Sequence, residues 1–353
     1  MNKLLTIVFF FIIAILFVIF YKIYFKDISP FGEVNQTIQS EEKSDLTHKL
    51  NPLSIEYMRT QEYPGSNIVI EQTLTQGSNY DRYIASYKSD KLKIYALITI
   101  PQGKKPDDGW PVVIFNHGYI QPQQYKTTEK YITYTDVFSR NGYIVFKSDY
   151  RGHGNSEGTP ESAYYSPAYT IDVLNAVSSI KKYKDSDPEK IGMWGHSMGG
   201  MITLRSMVVT DDIKAGVIWA GVTASYEDLA NKWHRTDRSK RTFIPTQQEQ
   251  VGHKQGRQEL IDTYGNFDTN TQFWGSISPL SFVKDISGPI QLHHGTSDEQ
   301  VPILFSQKLD QALKKVEKIT KFFAYEGDNH NLSNNLRVAL QRSVDFFDRY
   351  VKN

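Results

Sequence analysis

The chain contains no cysteine, which excludes disulfides, thiolate metal sites and a cysteine nucleophile, and leaves the redox compartment open. It has almost no charge bias either. Forty basic residues stand against 39 acidic ones, a formal net charge of +1, so no global field marks a nucleic-acid binder or a partner for acidic polymers. Internal repeats and low-complexity segments are absent as well. Specificity therefore has to come from a local site.

Apolar sequence, by contrast, is concentrated at the start. From Leu4 to Tyr21 every residue except Thr6 is apolar, and Ile23-Tyr24-Phe25 extend the run past Lys22. At 1.5 Å per residue this is long enough to cross a hydrocarbon core of roughly 30 Å. The run predicts a membrane anchor over residues 1–26. A cleavable signal peptide has a shorter apolar core, and no small-x-small site follows Phe25. Lys3 flanks one side, while Lys22 and Lys26, offset by Asp27, flank the other, so the charge rule nearly ties. The polar stretch 27–62 reads as a tether or loosely packed lead-in, and the expectation is a catalytic domain outside the cytoplasm.

Residues 63–353 carry the patterns of one large domain. Three strand-like runs, 67–74, 82–89 and 92–101, are separated by short polar turns and suggest an antiparallel meander. From Trp110 the pattern changes to nearly continuous apolar runs alternating with helix-length segments. The runs are Pro111–Phe115, Tyr143–Ser148, Ile191–Trp194, Ala215–Ala220, Pro289–Leu292 and Thr320–Tyr325. Between them Val173, Leu174, Val177 and Ile180 share one helical stripe, as do Leu309, Leu313 and Val316. Such alternation predicts an α/β fold with a mostly parallel, doubly wound sheet. The stretch from about 222 to 279 is too long and polar for one crossover and is expected to be an inserted helical cap.

Residues 195–200 read G-H-S-M-G-G, directly after an apolar strand-like run and before the segment Met201–Val209. A serine at the carboxyl end of a buried strand, ringed by residues without a Cβ, has the form of a nucleophile elbow. A serine merely capping a helix would look similar in isolation; the strand-turn-helix context separates the two. Because a hydroxyl is a weak nucleophile near neutral pH, Ser197 needs a general base and a carboxylate to orient that base. In the chain order Ser, Asp, His, the loop after 289–292 supplies Asp298 and the loop after 320–325 supplies His330. Asp285, Glu326, Asp328, His253, His293 and His294 fit that order less well. Oxyanion donors are expected from the backbone N–H of Met198 and, after the run at 111–115, of Tyr119 in His117-Gly118-Tyr119. No cofactor or metal is called for: His293 and His294 are adjacent on a strand, point to opposite faces and make a poor ligand pair.

Five motifs in this order, H-G-Y at 117–119, D-Y-R-G-H-G-N-S-E-G at 149–158, G-H-S-M-G-G at 195–200, H-G-T-S-D-E-Q-V-P at 294–302 and G-D-N-H at 327–330, resemble an α/β-hydrolase, and within that superfamily the catalytic domain of the prolyl oligopeptidase family. The resemblance implies a serine hydrolase acting on a small ester or a short peptide. It also implies that Arg151, His153 and Ser156 shape the loop beside the nucleophile. Peptidases of that family usually carry an N-terminal propeller, and the roughly 65 residues between the predicted anchor and the third run are too few for one. A carboxylesterase, a peptidase and an acylhydrolase or acyltransferase similar to the monoacylglycerol lipases all remain open. Trp233, His234, Phe243, Phe273 and Trp274 suit either an acyl pocket or the cap's own core.

Overall fold

A computed structural model describes residues 50–233 and 247–353, the side chains of 247–255 apart. The predicted anchor at 1–26 and most of the tether lie outside the described residues. Among those described, no helix is long and apolar enough to cross a membrane.

The compact unit begins at Pro52, inside the stretch expected as lead-in. There α1 (Ile55–Thr60) forms because Ser54 caps it, its hydroxyl accepting from Tyr57 N at 3.1 Å, and because Ile55 and Met58 bury one face. Arg59 donates to the Val208 carbonyl at 2.8 and 2.6 Å. The boundary drawn at 63 is therefore too late. The apolar stripe of a six-residue helix is too short to show as a period.

Nine strands make one sheet in the order β1-β2-β3-β5-β4-β6-β7-β8-β9. β1 (Val69–Leu74), β2 (Tyr80–Ser89) and β3 (Leu92–Pro101) form the expected antiparallel meander, and β3 pairs antiparallel with β5 (Ile144–Ser148). The remaining neighbours, β4 (Trp110–Asn116), β6 (Ser186–His196), β7 (Ala215–Trp219), β8 (Ile290–Gly295) and β9 (Thr320–Tyr325), are all parallel. β6 starts five residues earlier than its apolar core at 191, since pairing of Trp110 with Ser186 extends it.

Successive residues of the central strands feed two cores. Val112, Ile114, Met193 and Ile218 face α3 (Ala168–Lys181), α4 (Met198–Val209) and α8 (Leu304–Lys315). Val113, Phe115, Trp194 and Trp219 face α2 (Ile132–Arg140) and α9 (Leu336–Phe347). The predicted stripe at 173, 174, 177 and 180 is buried, as are Leu309 and Leu313. Between β7 and β8 the insertion holds three α-helices among the described residues, α5 (Tyr226–Asn231), α6 (Gln247–Tyr264) and α7 (Thr271–Ser276).

Candidate active site

Ser197 sits at the turn from β6 into α4 with φ 55° and ψ −116°, a conformation that L-residues adopt only when their surroundings enforce it. The enforcement is visible. Its N–H donates to the Trp219 carbonyl at 2.9 Å, and its own carbonyl accepts from Gly200 N at 3.0 Å and Val222 N at 3.1 Å. A Cβ on Gly199 would overlap the Asn116 carbonyl at the end of β4, and one on Gly195 would overlap the Gly199 carbonyl. The two glycines thus let α4 start against two strand ends. The Ser197 hydroxyl makes no capping bond to α4, and the residue is only partly buried, so the side chain is not a helix cap. Met198 opens α4, where an N–H has no acceptor within its helix.

The loops after β8 and β9 bring Asp298 and His330 together. His330 is buried and its Nδ1–H donates to Asp298 Oδ2 at 2.7 Å. Asp298 is held on its other oxygen by the amides of Gln300 at 2.8 Å and Val301 at 2.9 Å. Burial alone would raise this carboxyl, but hydrogen bonds from His294 and His330 outweigh it and hold Asp298 well below the ordinary carboxylate range. His294, a poorer fit to the triad order, lies 3.0 Å from the same Oδ2 through Nε2, which also bonds the Val301 carbonyl at 2.9 Å, while its Nδ1 meets Ser306 Oγ at 2.8 Å. Its neighbour His293 bonds Tyr325 and Gln291 instead.

The competing acids have other tasks. Asp328 is buried and accepts from Asn329 N, Asn334 N, Asn335 N and Asn335 Nδ2, which ties down the loop carrying His330. Asp285 pairs with Arg59 at the surface, and Glu326 is exposed. His253 has no described side chain.

At the end of β4, His117 is fully buried, stacked between Tyr125 and Tyr150 at 4.5 and 4.3 Å, with Nδ1–H donating to Gly118 O. Burial drives it well below the usual imidazole range, so it is a neutral packing residue. Tyr119 follows, half-buried against the core. Arg151 clamps buried Asp172 and reaches Asp90, and Ser156 Oγ accepts from Tyr95 N, so both shape the loop, as the resemblance implies. Burial drops His153 to about 4, and its ring packs edge-on against Tyr125 and Tyr150. In the cap, Phe273 and Trp274 are buried on Tyr264 and Phe267 at 3.9 and 4.4 Å and form the cap's own core. Trp233 is different: its indole N–H donates to the Gln300 carbonyl at 2.8 Å and its ring meets Tyr164 at 5.4 Å. His234 and Phe243 lie outside the described residues.

A sequence model described as the prolyl oligopeptidase family matches residues 130–353. The chain belongs to the prolyl oligopeptidase family. Its relatives include an uncharacterized peptidase and a putative esterase. The uncharacterized peptidase YuxL of Bacillus subtilis (strain 168) is 26% identical over 232 residues, 64% of this chain and 30% of that protein. The putative esterase YitV of the same strain is 24% identical over 253 residues, 68% of this chain and 89% of that protein. Among solved structures, Pyrococcus horikoshii acylaminoacyl peptidase superposes with a TM-score of 0.61 at 21% identity, covering 78% of this chain and 43% of its own. Acetyl xylan esterase from Paenibacillus sp. R4 gives 0.62 at 14%, covering 84% and 92%. At such identities these likenesses establish the α/β-hydrolase fold alone. The chain spans under half the length of the two peptidases.

Proposed function

We propose that the protein cleaves carboxylic esters of short to medium acyl length through an acyl-enzyme on Ser197. The observation that carries this reading is the Asp298–His330 pair at 2.7 Å, in loops after neighbouring strands of the sheet that presents the Ser197 elbow. His330 Nε2 takes the hydroxyl proton as Oγ attacks the ester carbonyl, and the histidinium so formed is stabilised by ionised Asp298. The developing oxyanion is met by the N–H groups of Met198 and Tyr119. Collapse expels the alcohol, which takes the proton from His330. Water then repeats the sequence, releasing the acid and restoring Ser197.

Two features favour an ester. Trp233 and Tyr164 present aromatic surface beside the Asp298 loop, suited to an acyl chain, and a putative esterase is among the relatives. The family and the peptidase relatives favour a second reading, cleavage of short peptides. We further propose that the run at residues 1–26 anchors the enzyme, with the catalytic domain outside the cytoplasm.

Labelling with a fluorophosphonate, followed by turnover of p-nitrophenyl esters against aminoacyl and dipeptidyl amides with matched acyl groups, tests the assignment. Wild type should label and Ser197→Ala should not. The ester should have the higher kcat/KM after correction against a reference esterase and a reference peptidase. A dipeptidyl amide processed as well as its matched ester would establish the peptidase reading.

A further inference from the structure

Lys130 and Tyr131 are consecutive non-glycine residues in the left-handed region, at φ 56° and 54°. A pair of such residues persists only where the surroundings over-determine it, and here it swings the Tyr131 side chain inward from the start of α2. The ring packs edge-on against Phe115, Tyr134 and His196 at 5.5, 5.4 and 5.7 Å. Its hydroxyl then lies 2.9 Å from the N–H of Gly118 and 2.7 Å from Nδ1 of His196. On the far side of that imidazole, Nε2 lies 3.1 Å from the carbonyl oxygen of His330.

The direction of every bond in this series is determined. A carbonyl only accepts, so His196 Nε2 carries a proton and donates to His330 O. Burial pushes His196 down to about 3, so the ring is neutral and Nδ1 bears a lone pair. The Tyr131 hydroxyl donates to that lone pair and in turn accepts from Gly118 N–H. The result is an unbroken series from the turn before Tyr119, through Tyr131 and His196, to the backbone of His330. It passes through the residue that precedes Ser197 in sequence. The fit is tight, since a Cβ on Gly118 would come within 2.7 Å of the Tyr131 hydroxyl and 3.2 Å of His196 Nδ1.

We propose that Tyr131 and His196 are positioning residues that hold the oxyanion turn and the His330 backbone in register on opposite sides of Ser197. This inference rests on the Ser197, His330 and Asp298 reading above. It assigns a task to the second residue of G-H-S-M-G-G, which a nucleophile elbow does not by itself require to be histidine. Removing either side chain interrupts the link between the two ends, so the two residues act as one unit.

The test is a double-mutant cycle of Tyr131→Phe and His196→Met in the full chain, read with p-nitrophenyl butyrate and with the rate of labelling by a fluorophosphonate. Each single variant should lower kcat about 10- to 100-fold, the loss expected for slight misplacement of reacting groups, with KM within about threefold. Labelling should slow in parallel because the phosphonyl oxygen uses the same donors. The double variant should be no worse than the poorer single one. Tyr131→Phe keeps the ring packing and therefore decides alone if His196→Met lowers the melting temperature sharply. Folded single variants with kcat within twofold of wild type, or losses that multiply in the double variant, overturn the proposal. Ser197→Ala run alongside separates the two levels: turnover there would overturn the triad reading, whereas an inert Ser197→Ala with active chain variants would overturn only this inference.

Discussion

Asp298 accepts from His330 and two amides, and His294 Nε2, which bonds the Val301 carbonyl at 2.9 Å, lies 3.0 Å from the same Oδ2. A carboxylate so supplied stays ionised through the working range, and its charge is available to stabilise a histidinium. Asp298→Asn should therefore cost about 10³-fold or more in kcat, because the amide cannot match the charge and offers His330 the wrong donor. Circular dichroism should remain native; unchanged kinetics in a folded variant would move the acid role elsewhere. Ser197→Ala and His330→Ala should each lose about 10³-fold or more, and the double variant about as much as either, since the residues act together. Steady-state rates above the uncatalysed background measure this, and multiplicative losses would contradict it. Ser197, Asp298 and His330 were legible in the sequence because each follows an apolar strand. His294, His196 and Tyr131 were not, since their partners are set by contacts such as Tyr131 to His196, 65 residues apart, and His196 to His330, 134 apart.

Elements were legible in proportion to their length and apolar content. The buried strands and the stripes of α3 and α8 announced themselves, while α1 did not. Yet α1 is bound into the domain: Met58 is 1% exposed and Arg59 reaches the C-terminal end of α4. Met58→Ala should then cost about 2–5 kcal/mol, the range for emptying a buried methionine site. Urea denaturation at constant slope would show it, and a shift below about 0.5 kcal/mol would return 50–62 to the status of a lead-in. The elbow illustrates the opposite case, in which motif and element agree. Its glycines are required by the closeness of α4 to the ends of β4 and β6, and Gly199→Ala should abolish fluorophosphonate labelling because α4 or the Asn116 end of β4 must shift. Retained labelling at the wild-type rate would show that the elbow tolerates a Cβ.

Across the molecule, burial holds four described histidines neutral. His117 and His293 are driven well below the usual imidazole range, His153 to about 4 and His196 to about 3. Each has a folded pKa below its unfolded value near 6.5, so the unfolded chain binds more protons as pH falls. Stability is complete above about pH 6.5 and declines as pH drops toward 4, each imidazole contributing about 1.4 kcal/mol per pH unit. Urea midpoints should fall steeply between pH 6 and 5, and a flat profile there would show that these rings accept protons without unfolding. Topology is a separate question at this scale. If residues 1–26 anchor the chain with its catalytic domain outside, added protease should digest that domain in intact cells or spheroplasts. Full protection, with an external control protein cleaved, would place it inside.

Local pattern determined the class of this protein. Helical stripes, continuous apolar strands and five short motifs in order led to the α/β-hydrolase fold and to Ser197 as its candidate nucleophile, because those signals are written within a few residues of one another. The tertiary structure decided what depends on distance in space. It assigned Asp328 to the loop and Asp298 to the histidine, turned His117 into a packing residue, and gave Phe273 and Trp274 to the cap's interior. It also set His294 beside the carboxylate and joined Tyr131 to His196. Those outcomes follow from which side chains meet after a nine-stranded sheet has formed, a matter of hydrogen-bond reach and excluded volume between residues remote along the chain.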